Sequence, residues 1–215
     1  QAFAANPQAR AVLFQASETS TGALMPTREI CAFARSKNLL SVCDAITACG
    51  VFNLPMDEWE IDVLITGSQK ALMIPPGLAF IALSARAWAA AEKSDLPKFY
   101  LDLHKELKAQ IKNQSAWTPA TSLIQGLQVA LQMIREETLP KIFARHDLLA
   151  RATRAGVAAL GLEILAKDAP STAVTSVKVP KEIQDGKQVV KRMRDTWGVV
   201  IAGGQDELEG KIFRL

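Results

Sequence analysis

TGSQKALMIPPG, residues 66–77, sets one lysine, Lys70, between a β-branched run and a proline-rich turn. Upstream, Ile61, Val63, Leu64 and Ile65 form a short apolar run that Gly67 and Ser68 break abruptly, so Lys70 is expected at the carboxyl end of a strand. A second apolar run, residues 78–83, starts straight after Pro75-Pro76-Gly77. A lysine between two core strands is not an ordinary surface lysine, because its ammonium is costly to bury unless paired or deprotonated. Kept partly neutral, such an amine is a nucleophile toward carbonyls. A lysine that snorkels out of a strand-end loop satisfies the same stretch.

Working back from this point, residues 11–14, AVLF, are ended by the polar cluster QASETSTG, which reads as a strand followed by a ligand-facing loop. Pro26 opens a helix whose Ile30, Phe33 and Ala34 repeat at helical spacing, and Lys37 with Asn38 stops it. Residues 39–43 form the next strand and end on Asp44, residues 50–59 connect, and residues 62–66 form a third strand. Strand, helix and strand with short connections predict an α/β fold, a mostly parallel sheet with flanking helices. The loops after those strands then gather on the edge where open α/β sheets bind ligands. Thr19, Asp44 and Lys70 all fall there. A strand-end aspartate serves equally well to cap a turn, and Thr19-Ser20-Thr21 equally well to build one.

Working forward, residues 85–93 are an alanine-rich helix, and residues 97–112 another with Tyr100, Leu103, Leu107 and Ile111 on one face. After a polar interruption, Thr118 and Pro119 read as N-cap and first residue of a long helix with the stripe Leu123, Leu127, Ala130, Leu131 and Ile134. Pro140 breaks or restarts it. The helix that follows is expected to carry Leu149, Ala152, Gly156 and Leu160 inward, with Gly161 as its stop. Short strands around one helix come next: residues 162–166, 173–179, a helix over 187–197, then 199–201 and 211–215. The domain reading is therefore a larger unit, residues 1–142, and a smaller C-terminal α+β unit, residues 143–215. Arg214, between Phe213 and Leu215, is expected on the opposite strand face from both.

The composition is 49% hydrophobic and 22% charged with net charge +3, too weak a balance to argue for nucleic acid or an anionic membrane surface. No apolar run approaches the roughly 18 residues of a membrane span. Cys31, Cys43 and Cys49 are odd in number and lack zinc spacing, which suits a reduced, cytoplasmic compartment; Cys43 reads as a small core residue. His104 and His146 fall on charge-rich helices and are assigned no chemistry. The chain opens on Gln1, with neither an initiator methionine nor a signal-peptide pattern, and stops at Leu215 inside an apolar run.

The lysine segment with its Pro-Pro-Gly turn resembles the lysine motif of the class V aminotransferases, on the type I fold of pyridoxal-phosphate enzymes, and is most similar to the branch with alanine–glyoxylate and serine–glyoxylate aminotransferases. That resemblance implies that Lys70 forms the Schiff base with pyridoxal 5'-phosphate and moves the substrate proton. Asp44 would hold the pyridine nitrogen protonated, keeping the ring an electron sink. Thr19, in a segment similar to the family's ESSTG, would contact the cofactor, and Gln69 would offer amide hydrogens to the phosphate. Trp117-Thr118-Pro119-Ala120 is similar to the segment that reaches the neighbouring subunit's phosphate, which implies a homodimer with shared active sites. Arg214, in GKIFRL, would pair bidentately with the substrate's α-carboxylate.

The implied activity moves an amino group from a small amino acid, alanine or serine, to an oxo acid such as glyoxylate. A lyase of the same class, desulfurase- or kynureninase-like, is the alternative; desulfurases usually carry histidine where Gln69 stands. A Ser–Lys hydrolase built on Ser68 and Lys70, and a non-catalytic relative that kept only the fold, are further readings. Members of the family are substantially longer, so the resemblance also implies that roughly the first third and a short tail lie outside this chain.

Overall fold

The computed structural model describes residues 2–215; Gln1, on which the chain opens, lies outside the described residues. A short helix α1 (Ala2–Ala5) leads into β1 (Ala11–Gln15), a two-strand hairpin β2 (Ser17–Glu18) and β3 (Ala23–Leu24), helix α2 (Thr27–Ser36), β4 (Leu40–Asp44), β5 (Val63–Gly67), β6 (Ala79–Leu83) and helix α3 (Ala85–Ala91). The main sheet has the order β1-β4-β5-β6. Its first three strands are parallel, with Gln15 opposite Asp44 and Asp44 opposite Ile65, so their carboxyl ends share one edge. The α/β sheet is mostly parallel, as the connections predict, because each β-branched run is too short for a helix and too apolar for a loop.

The core lies between this sheet and α2, where Phe14, Cys31, Cys43 and Ile61 pack with the small Ala16, Ala45 and Ala48. Three sequence expectations change in this half. The polar cluster after β1 is not an open loop, since it folds back as the hairpin. Helix α2 buries Thr27, Cys31 and Ala34 but leaves Phe33 outside, edge-on to the ring of Phe3. Strand β6 is not a core strand: it runs antiparallel on the sheet edge, with most of its side chains exposed.

The second half comprises α4 (Leu103–Gln110), α5 (Thr121–Glu137), α6 (Leu139–Ala159), β7 (Ser176–Lys178), α7 (Lys187–Trp197), β8 (Ala202–Gly203) and β9 (Ile212–Arg214), the last three strands forming an antiparallel sheet of order β7-β9-β8. The helix expected over 97–112 starts only at Leu103, where the Asp102 carboxylate accepts the His104 N–H at 3.0 Å and caps the first turn, leaving Tyr100 outside. Thr118 is likewise no cap: α5 begins at Thr121, after Pro119 and an Ala120 that makes no side-chain cap bond. Of the expected α5 stripe only Ala130 is buried. Helix α6 buries Ile142, Ala150 and Val157, whereas Leu149, Ala152, Gly156 and Leu160 are exposed. Apolar residues occur around most of its circumference, so spacing alone could not choose its inward face.

Residues 162–166 form no strand, only a bridge from Ile164 to Val177, and the pairing expected at 199–201 falls at Ala202 and Gly203. Residue 143 lies inside α6, which runs through it without a break. The two halves are stitched by the hairpin. The Ser17 and Ser171 hydroxyls meet at 2.7 Å in a buried contact, and the Ser171 N–H bonds Gly22 O at 2.8 Å. Gly22, at φ +71°, is required there, because a Cβ would meet Ser176 N and Val174 O at 3.1 Å. Among the described residues no helix is long and apolar enough to cross a membrane, and no cluster of histidine, cysteine and carboxylates could hold a metal.

Candidate active site

Strand register brings Asp44 and the β5–β6 connection to the carboxyl edge of the parallel strands, and the hairpin turn folds over the same edge. The β5–β6 connection that carries Lys70 is tied by Ser68, which is fully buried. Its hydroxyl donates to Pro75 O at 2.8 Å and accepts the Leu78 N–H at 3.2 Å. With its one proton committed to a carbonyl, Ser68 is poorly placed as a hydrolase nucleophile. Lys70 itself stands on the exposed lip of the loop, and among the described residues its amine has no hydrogen bond or ion pair. The expectation of a lysine pressed between core strands is corrected accordingly: β6 is an edge strand, so the loop ahead of it opens to solvent.

The hairpin turn sorts its three hydroxyls. Glu18 Oε1 accepts both the Ser20 N–H at 2.8 Å and the Ser20 hydroxyl at 2.7 Å, while Thr21 Oγ1 accepts the Ala23 N–H at 3.3 Å. Ser20 and Thr21 thus build the turn, and Thr19 faces a cavity of about 610 Å³ shared with Lys70 and Arg214. Arg214 reaches this cavity from β9. Its Nε donates to Gly203 O at 2.8 Å, and its Nη1 donates to Thr19 O at 3.2 Å and Gln205 Oε1 at 3.4 Å. Three residues separated by up to 195 positions therefore meet on one cavity.

Asp44 sits at the same sheet edge, exposed, with Oδ1 accepting the Ile46 N–H at 2.9 Å; it is not on the cavity wall. Gln69 is exposed beside Lys70 and folds back over Gly67, whose Cβ position lies 2.9 Å from Gln69 Oε1. Thr118 is exposed on the segment before α5, away from the cavity. Of the six residues singled out in the sequence, Thr19, Lys70 and Arg214 share the cavity and Asp44, Gln69 and Thr118 do not.

Sequence reasoning missed several wall residues. Thr47 is braced by its hydroxyl on Ser17 O at 3.0 Å. Glu137, Arg145 and His146 enter from the joint between α5 and α6. Arg145 forks onto Glu137, Nε to Oε1 at 2.7 Å and Nη2 to Oε2 at 2.9 Å, a bidentate pair that holds the Glu137 carboxyl below its usual range. His146, assigned no chemistry from the sequence, lies on the wall beside them; burial, and secondarily the Arg145 charge, push its pKa down. The only signal that could have found this group was the charge cluster around Pro140, which reads equally well as a solvated helix joint.

The Lys70 amine, the hydroxyls of Thr19 and Thr47 and the Arg214 guanidinium around one cavity of this size suit a ligand carrying carbonyl and anionic groups. The family model described as aminotransferase class-V matches residues 3–208. The chain is 40% identical over 207 residues to the soluble hydrogenase small subunit of a Synechococcus species, covering 96% of this chain and 54% of that one. It is 34% identical over 216 residues to the serine–glyoxylate aminotransferase of Arabidopsis thaliana, covering 98% and 53%. Among solved structures, pyridoxamine–pyruvate aminotransferase from Mesorhizobium loti superposes with a TM-score of 0.93 at 31% identity, covering 100% of this chain and 56% of that one. The chain spans about half the length of the curated relatives it matches, a smaller share than the resemblance implied.

Proposed function

We propose that this chain, which belongs to the class-V aminotransferase family, carries the reacting amine and the substrate-carboxylate site of a transaminase. The reaction would move an amino group from a small amino acid, alanine or serine, to an oxo acid such as glyoxylate. The observation that carries the reading is the meeting of Lys70, Thr19 and Arg214 on one cavity.

The donor set fits pyridoxal 5'-phosphate. Lys70 offers an amine that has no partner among the described residues and Thr19 a hydroxyl that the turn does not use, while Asp44, at the same sheet edge but off the cavity wall, has one oxygen fixed by the Ile46 N–H and would turn the other toward a ring nitrogen. When bound, the cofactor supplies an electron sink for the negative charge that develops as the α-hydrogen leaves. Asp44 strengthens that sink by favouring the protonated ring nitrogen. Lys70 Nζ holds the cofactor and carries the proton from the substrate α-carbon. The Thr19 hydroxyl, on the cavity wall, and the Gln69 amide, beside Lys70, would donate to the cofactor's oxygens. Arg214 is preorganised by the carbonyls of Gly203 and Thr19 and the amide of Gln205, which engage Nε and Nη1 and leave Nη2 to donate to a carboxylate. Thr118, exposed ahead of α5, is assigned to the phosphate of a second copy, which makes the assembly a homodimer with shared sites; the compartment is cytoplasmic.

The test uses the native full-length protein with added pyridoxal phosphate. After borohydride reduction, peptide mapping is expected to find the cofactor on Lys70 alone, and Lys70→Ala is expected to lower turnover by roughly 10⁴-fold. A label on any other lysine, or turnover that survives in Lys70→Ala, would overturn the assignment.

A further inference from the structure

We propose that the Glu137–Arg145 pair decides which substrate side chain the cavity accepts: Glu137 masks Arg145 and so turns away a second carboxylate. This rests on the transaminase reading above and deepens it by naming the pair that would exclude amino acids with a second carboxylate.

Two guanidiniums face the cavity, and their commitments differ. Arg214 is held by neutral acceptors, the carbonyls of Gly203 and Thr19 and the amide of Gln205, so its charge remains available to an incoming anion. Arg145 has its charge matched by the Glu137 carboxylate in a two-bond fork. His146 beside it is half-buried, and that burial disfavours its charged form. The wall supplied by α5 and α6 therefore presents a matched ion pair, with the Glu137 carboxylate among its lining groups, beside the apolar Met133, Ile134 and Ile142. A substrate bound to Arg214 through its α-carboxylate would meet that wall with its side chain. A methyl or hydroxymethyl group meets no penalty there, whereas a side-chain carboxylate meets Glu137 as a like charge and finds Arg145 already occupied.

The backbone holds this arrangement in place. Glu137 ends α5 and Arg145 lies on the second turn of α6, and the bend between them is made by Thr138 at φ +74° and ψ 142°. A β-branched residue rarely adopts that conformation, and backbone strain of this kind collects where a fixed geometry is used.

The test compares the native protein with Glu137→Gln and with Glu137→Gln combined with Arg145→Gln, in two independent measurements. In the first, calorimetry without added cofactor compares succinate with propionate. In the second, kcat/KM is compared for aspartate and alanine as amino donors. Glu137→Gln keeps the shape and removes the charge, so it is expected to raise the succinate-to-propionate affinity ratio and the aspartate-to-alanine kcat/KM ratio about tenfold each, the worth of one hydrogen bond to a charged group. The double variant is expected to lose both gains. Unchanged ratios in Glu137→Gln would overturn the proposal, as would gains that persist without Arg145. A pair that only braces the helix joint would lower the melting temperature and leave both ratios where they were. Absence of transamination in every variant, with the shift in carboxylate binding intact, would sink the transaminase reading and leave the masking of Arg145 standing.

Discussion

The cysteines show most plainly how burial sets chemistry one residue at a time. Cys43 is fully buried under α2, and its thiol is pushed up to about 12, first by burial and then by its neighbours Cys31 and Asp44. Cys31 and Cys49 are raised too, chiefly by burial. A thiol that titrates near 9 when unfolded and near 12 when folded stays protonated longer in the native state. Its contribution to stability is fully present below about pH 9 and is lost as pH rises toward 12, with a slope of about 1.4 kcal/mol per pH unit for one such thiol. Urea midpoints measured from pH 8 to pH 11 are expected to fall, and Cys43→Ala is expected to flatten that fall. Residues of this kind were legible: Cys43 reads as core because it alternates with apolar neighbours in a strand. The cavity residues divide differently. Lys70, Thr19 and Arg214 were legible because each sits in a local motif, whereas Glu137, Arg145 and His146 reach the cavity through a helix bend that no motif announces.

Among the elements, the parallel strands β1, β4 and β5 were legible, whereas the β2–β3 hairpin and the helix faces were not. A strand of five residues such as β4 has one period-two pattern to read, and it buries Ser41 and Cys43 on the same face. Ser41 is tolerated there because its N–H meets the Asp62 carboxylate at 3.1 Å and its hydroxyl accepts the Asp62 N–H at 2.9 Å. Helices α5 and α6 carry apolar residues on several faces, and tertiary contact selects one of them. Their junction also departs from ordinary helix punctuation. Pro140 sits in the first turn of α6, where its missing N–H costs nothing, so the break falls earlier, at Thr138. Strain at that residue is of order 1–3 kcal/mol, and glycine would relieve it while losing about 0.5–1 kcal/mol of chain entropy. Thr138→Gly is therefore expected to stabilise the protein by about 1 kcal/mol, read as a rise in the thermal midpoint. A fall in that midpoint would mean that the Thr138 side chain contributes more than its backbone conformation costs.

For the molecule as a whole, the open question is the second face of the main sheet. Register lines up Leu13, Val42, Val63 and Leu83 in one apolar row across all four strands, on the face opposite the buried Phe14 and Cys43. Leu13 in that row is 74% exposed. Parallel strands are ordinarily buried on both faces, and a row of this composition is costly to leave in water. Helix α2 covers the first face, and none of the described helices buries Leu13 on the second. If the relatives' additional length, about as much again as this chain, supplies the missing layer, a charge at position 13 should be tolerated in one context and not in the other. Leu13→Lys is expected to change the stability of the 215-residue chain by less than about 0.5 kcal/mol, as for an ordinary surface site. The same substitution in the native full-length protein is expected to cost about 2 kcal/mol or more, because a leucine side chain is lost from the core and an ammonium takes its place. Urea denaturation of both forms measures the difference. Equal and small effects would mean that the row faces solvent in the complete molecule as well, and that the sheet is stabilised from the α2 side alone.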